Sequence, residues 1–236
     1  MQSIQLSMAQ MALDSYASNY AATASTKSLA AEFDRADSIT KDNFRAYAYR
    51  SKKISWTVIA FRGTDNSEDK VLADGAGIGL ALGPLAMHSA VALIFSQQWQ
   101  KKSKDFWLTG HSLGGAFVQL VGAKLRVPGV TFNSPGVLNL LNETSGRMVR
   151  APIGFLGGAL IDLSLYQMPS VLNAAAAAND DSAFPPIANY RTAGDLVSRI
   201  GVPVGAPMQL VPTTSIGGPV AAHSMQGIVD AIALRK

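Results

Sequence analysis

The chain has 236 residues, 48% of them hydrophobic and 15% charged, which suits one buried core and excludes a disordered chain. Cysteine is absent, so disulfides, thiolate metal sites and a cysteine nucleophile are all excluded. Twenty basic against sixteen acidic residues leave +4 and an isoelectric point near 9.4, a balance that favours anionic partners such as phospholipid surfaces.

No Lys/Arg run exceeds two residues and none is interleaved with aromatics, so nucleic acid is not an expected partner. The N-terminus lacks a basic flank followed by an apolar run. The expectation is a cytoplasmic protein, or one exported by a route that needs no signal.

Residues 4–17 place Ile4, Met8, Met11, Leu13 and Ala17 near one helical face. The Ala/Ser/Thr run over 20–26 reads as a loop. Residues 45–50 and 55–61 read as strands joined through Lys52 and Lys53 in a hairpin-like pair. Residues 75–96 carry no formal charge over 22 positions, long enough to cross a bilayer. Four glycines, Pro84 and His88 weaken that reading, so a buried or lid-forming segment is expected and no transmembrane anchor.

A helix is expected over 86–100, a short buried strand over 106–109, a helix over 114–125 and a strand over 129–132. This alternation predicts parallel βαβ units. Residues 146–181, with five alanines at 174–178, read as an insertion between core elements. Strand character resumes over 187–192, a Gly/Pro-rich stretch covers 201–219, and a last helix is expected over 220–234. With no repeat and no linker, residues 1–236 are expected to form a single domain.

The sequence Gly110-His111-Ser112-Leu113-Gly114-Gly115 contains G-x-S-x-G. Small residues are needed on both sides of the serine because the backbone turns sharply there from strand into helix. The turn lifts the hydroxyl above the sheet edge and aims the Leu113 N–H, at a helix start, toward developing negative charge. Five positions alone are a weak signal; a strand-like FWLT before and a helical GAFVQLV after supply both required flanks.

A serine hydroxyl needs a base, and the base needs an orienting acid. Of three histidines, His111 adjoins the nucleophile and is read as packing or supporting the turn, while His88 fits the chain order badly. His223 lies downstream, as the order Ser…Asp…His requires. Glu143, Asp162, Asp180, Asp181 and Asp195 could supply the acid. Asp195, just past the strand over 187–192, is preferred, with Asp181 as runner-up.

Taken together these residues resemble the fungal-type triacylglycerol lipase family, the class 3 lipases. Four blocks occur in order: Phe61-Arg62-Gly63-Thr64, the GHSLGG block, Thr131-Phe132-Asn133-Ser134-Pro135, and Gly194-Asp195-Leu196-Val197-Ser198-Arg199. His223 follows as the last element. The resemblance implies an α/β-hydrolase fold, a mostly parallel central sheet with helices on both faces. It implies Ser112, Asp195 and His223 as triad and Thr64 as the residue that completes the oxyanion hole with Leu113. It also implies a mobile lid around residues 75–85. Three features depart from the family pattern: no disulfides, His88-Ser89 in place of a histidine-glycine pair, and no counterpart for residues 146–181.

The function this predicts is carboxylic-ester hydrolysis on lipid esters, as a triacylglycerol lipase or phospholipase A1, through an acyl-enzyme. No metal and no cofactor is required. The expected partner is a lipid or ester substrate, met at a membrane or lipid-droplet interface. Two alternatives stand beside it, a short-chain carboxylesterase and a catalytically silent hydrolase fold used as a binding module.

Overall fold

The computed structural model describes residues 4–63, 77–137, 186–212 and 218–235. Its centre is a seven-stranded sheet in sequential order: β1 (Phe33–Lys41), β2 (Phe44–Ser51), β3 (Trp56–Phe61), β4 (Asp105–His111), β5 (Gly129–Phe132), β6 (Ile187–Thr192) and β7 (Gln209–Val211). The first two pairings are antiparallel and the other four are parallel, so the sheet is mixed and mostly parallel.

Period-two alternation in the strands divides the core in two. In β2, Phe44, Ala46 and Ala48 join one apolar cluster, and Tyr47 and Tyr49 join the other. In β3, Ile59 and Phe61 face the first cluster while Trp56, Val58 and Ala60 face the second. Every residue of β3 is buried, as a strand covered on both faces requires.

The first cluster is closed by α3 (Gly77–Gln100) and α4 (Leu113–Leu125), through Leu93, Phe95, Trp99, Phe117 and Val118. The opposite face is closed by α1 (Ile4–Asp14) and α6 (Met225–Ala233), which pack on each other through residues such as Met8, Met11, Ile228 and Val229. The ends of the described chain thus meet beneath the parallel strands. Two short helices complete the set, α2 (Leu29–Glu32) and α5 (Pro219–His223).

Three expectations are corrected, and one strand that none of them covered is added. The helix expected over 86–100 begins at Gly77 and runs through Pro84. Proline has no N–H to donate toward Leu80, and the helix nonetheless continues to Gln100. Strand β1 carried no sequence signal because its burial does not alternate: it is an edge strand, mostly exposed, with charges at Asp34, Arg35, Asp37 and Lys41, which is how edges avoid stray pairing. Strand β7 was hidden in the Gly/Pro-rich stretch. The last helix is two helices, broken at Ser224, whose φ of −62° and ψ of 127° are extended.

Residues 146–181 lie outside the described residues, as do 75 and 76 of the segment expected to form a lid; 77–85 form the start of α3. Among the described residues no helix is long and apolar enough to cross a membrane.

Candidate active site

Strand β4 ends at His111, α4 begins at Leu113, and Ser112 alone makes the corner with φ 56° and ψ −129°. A non-glycine side chain adopts that conformation only when its surroundings over-determine it. Here the Ser112 N–H donates to the Phe132 carbonyl at 3.0 Å, and the Ser112 carbonyl accepts from Gly115 N–H at 2.9 Å.

The glycines of the motif follow from the same crossing. A Cβ on Gly110 would lie 2.5 Å from the Gly114 backbone, and one on Gly114 would lie 2.1 Å from the Phe61 carbonyl oxygen. One on Gly115 would strike Ser134 at 2.5 Å. Strand β3, the corner and α4 therefore approach more closely than any side chain allows.

His223 ends α5 and reaches Ser112. Its Nε2 lies 2.9 Å from Ser112 Oγ, and its Nδ1 lies 2.7 Å from Asp195 Oδ1. All three side chains are buried. The carboxylate sits on the turn after β6, where it also accepts from Val197 N–H at 3.3 Å and Ser198 N–H at 2.8 Å, the first residues of a 3₁₀ turn (Val197–Arg199). Burial alone would raise the Asp195 pKa. The bond from His223, the charge of that imidazole and the bonds from Ser198 outweigh it and hold the carboxyl below its ordinary 3.8.

Ser112, Asn133 and Asp195 all lie just past the carboxyl ends of parallel strands, the edge at which open α/β sheets place their ligands. Strand pairing puts His111 opposite Phe132 and Phe132 opposite Tyr190, so these ends are level. Leu113 is the first residue of α4, and its N–H has no acceptor within the helix. It is therefore placed to donate beside Ser112.

Thr64, the expected second donor, lies outside the described residues, as do Glu143, Asp162, Asp180 and Asp181. His88 stacks on Phe44 with centroids 5.6 Å apart, and its Nε2 is 3.6 Å from Asp42 on the β1–β2 hairpin.

His111 does more than support the turn. Its Nε2 is 2.7 Å from the His223 carbonyl oxygen, and its Nδ1 is 2.9 Å from Tyr16 Oη. A carbonyl only accepts, so Nε2 carries the hydrogen, Nδ1 is the acceptor and Tyr16 donates to it. Burial, then the neighbouring His223, push its pKa down to about 3, so the ring is neutral.

Asn133 was legible only as part of a motif block. In the fold, with φ 45°, its Nδ2 donates to the Ala222 carbonyl at 2.9 Å and its Oδ1 accepts from Thr192 N–H at 2.8 Å. Thr192 Oγ1 donates to the same Ala222 carbonyl. No sequence signal marked these bonds, because they join residues 30, 59 and 89 positions apart.

Comparison with known proteins agrees with this architecture. Residues 7–151 match the phospholipase-like family model described as the Tle-like phospholipase domain. Short segments match proteins named "Putative lipase ATG15": 62% identity over 32 residues in Candida glabrata and 46% over 41 residues in Debaryomyces hansenii. These segments cover 14–17% of this chain and only 6–7% of those proteins, so the chain aligns with a small part of them.

Among solved structures, a mutant form of MDLA from Penicillium cyclopium superposes with a TM-score of 0.54 at 13% identity, covering 90% of this chain and 81% of that one. A deletion mutant of the Rhizomucor miehei lipase propeptide complex gives 0.52 at 15% identity, covering 98% and 78%. At such identities the likeness speaks for the fold. The chain belongs to the phospholipase-like family of the Tle-like phospholipase domain, on the α/β-hydrolase fold that it shares with the fungal lipases.

Proposed function

We propose that this protein cleaves acyl esters of phospholipids through an acyl-enzyme on Ser112, with His223 as base and Asp195 as its orienting acid. The observation that carries the proposal is the continuous relay from Ser112 Oγ through both nitrogens of His223 to Asp195 Oδ1, at 2.9 and 2.7 Å. We also infer a single domain, since one sheet runs from Phe33 to Val211 and the first and last helices pack on each other.

In the first half-reaction His223 Nε2 takes the Ser112 proton as Oγ attacks the ester carbonyl, and the carbonyl electron pair moves onto oxygen. The Leu113 N–H receives that oxyanion, with Thr64 as second donor; one such donor is worth about 2.7–4 kcal/mol of barrier. Asp195 fixes the imidazole tautomer and stabilises the imidazolium. His223 then protonates the leaving alcohol oxygen as the C–O bond breaks. Water, deprotonated by the same nitrogen, attacks the acyl-serine; the fatty acid leaves and Ser112 regains its proton. No step requires a metal or cofactor.

The phospholipid preference rests on the family to which residues 7–151 belong and on the net charge of +4, which attracts the chain to anionic surfaces. The test has two arms. After treatment with an organophosphonate, mass spectrometry should find the adduct on Ser112; labelling at another residue would refute the nucleophile. Hydrolysis of phospholipid vesicles, triacylglycerol emulsion and short-chain esters is then compared side by side. Faster turnover of soluble two- to four-carbon esters, with no gain at an interface, would make this a short-chain carboxylesterase.

A further inference from the structure

We propose that His111, Asn133 and Thr192 are positioning residues that clamp the two peptide carbonyls flanking the His223 α-carbon and thereby aim its imidazole. The proposal rests on the assignment of Ser112, His223 and Asp195 as the catalytic relay.

Helix α5 has five residues, too few to hold itself in place, and its last carbonyls have no partner within it. The extended backbone at Ser224 keeps α6 a separate helix, so α5 is not simply the first turn of a longer one. Side chains supply the missing bonds. On one side of the His223 α-carbon, the Ala222 carbonyl accepts from Asn133 Nδ2 at 2.9 Å and from Thr192 Oγ1. On the other side, the His223 carbonyl accepts from His111 Nε2 at 2.7 Å.

The three donors come from the ends of three adjacent strands. His111 closes β4, Asn133 follows β5 and Thr192 closes β6. Each is buried, and Asn133 also ties itself to Thr192 N–H, so the clamp is braced within the sheet. The base of the relay is therefore referred to the same strand ends that carry its hydroxyl and its carboxylate.

His111 adds an electrostatic condition. Its ring centroid lies 4.7 Å from that of His223, which becomes a cation during each half-reaction. A second cation at that distance would oppose it. The bond to a carbonyl on one nitrogen and from Tyr16 on the other keeps His111 neutral.

The test uses the whole chain with a soluble p-nitrophenyl ester and compares wild type with Ser112→Ala, His111→Phe, His111→Gln and Thr192→Val. It reads kcat and KM separately, together with the downfield proton resonance of His223 Nδ1–H. His111→Phe should lower kcat by about 10²-fold with KM little changed, the size expected for a misplacement of about 1 Å. His111→Gln, whose Nε2 can still donate to the carbonyl, should recover most of the loss. Thr192→Val, equal in shape, should lower kcat by about tenfold, and the proton resonance should weaken with it.

Wild-type kcat in either His111→Phe or Thr192→Val would overturn the clamp. So would equal impairment of His111→Phe and His111→Gln. If His111→Phe does not fold, Thr192→Val decides alone, and an unchanged kcat and resonance would overturn the proposal. Full activity in Ser112→Ala would instead refute the relay on which the clamp is built.

Discussion

The His111 ring lies against the ring of His223, tilted by 42°, while its Nε2 holds the carbonyl oxygen of that same residue at 2.7 Å. In the proposed scheme one histidine takes protons and its neighbour keeps it in position. Both rings are buried, and they differ in their partners: Tyr16 and a peptide carbonyl for His111, Ser112 and Asp195 for His223.

That neutral ring couples stability to pH. The pKa of His111 falls from 6.5 to about 3 on folding, so its contribution is complete above 6.5 and is lost as pH falls from there toward 3. One proton taken up on unfolding corresponds to about 1.4 kcal/mol per pH unit. In urea denaturation between pH 6 and 4, His111→Gln should flatten the stability profile by that slope. A slope equal to wild type would mean that the ring takes up its proton in the folded state.

Asp195→Asn should lower kcat by roughly 10⁴-fold while leaving the fold intact, because an amide cannot fix the tautomer that the relay needs. Circular dichroism and steady-state kinetics on a soluble ester check both halves. The carboxylate also carries a stability term of its own. Its folded pKa lies below 3.8, so that term is present above 3.8 and lost as pH falls through the folded value. The variant should therefore lose less stability than wild type on acidification below pH 4. An active Asp195→Asn would remove it from the relay.

Ser112 holds a conformation that glycine adopts freely, at a strain of order 1–3 kcal/mol. Ser112→Gly should accordingly be more stable than Ser112→Ala by about 1 kcal/mol, and both should be inactive. Chemical denaturation of the two variants measures the difference. An alanine variant as stable as the glycine variant would show that the corner is relaxed.

Gly114→Ala tests the crossing of α4 over β3. The new methyl would sit 2.1 Å from the Phe61 carbonyl oxygen, and both partners are backbone within packed elements. A loss of more than about 3 kcal/mol is expected, at the upper end of overpacking effects. An alanine variant with an unchanged denaturation midpoint would mean that the helix can withdraw from the strand at no cost.

Several elements could be read from local order. Residues 55–61 read as a strand because every position from Trp56 to Phe61 is apolar or β-branched, and the fold buries all of β3. The strand–corner–helix around Ser112 was readable because the turn itself brings Gly110 against Gly114 within four positions, although Gly114 and Gly115 also meet Phe61 and Ser134. Strand β1 had no such signature: its stability comes from its partner β2 and its own side chains mostly face water. The single helix read over 220–234 failed at Ser224, where a break in the backbone outweighs a continuous helical pattern.

By itself, then, the amino-acid order determined the strand–corner–helix at Ser112, the alternation that builds parallel strands, and a chain order that makes His223 and Asp195 eligible. Their eligibility is not contact. Only the tertiary structure decided that His223 lies between Ser112 and Asp195 across 111 and 28 positions of sequence. It also decided that Asn133, Thr192 and His111 hold the backbone beneath that histidine. The reason is physical: periodicity and turn chemistry act over a few residues. Bonds between strand ends exist only once the sheet has brought those ends level.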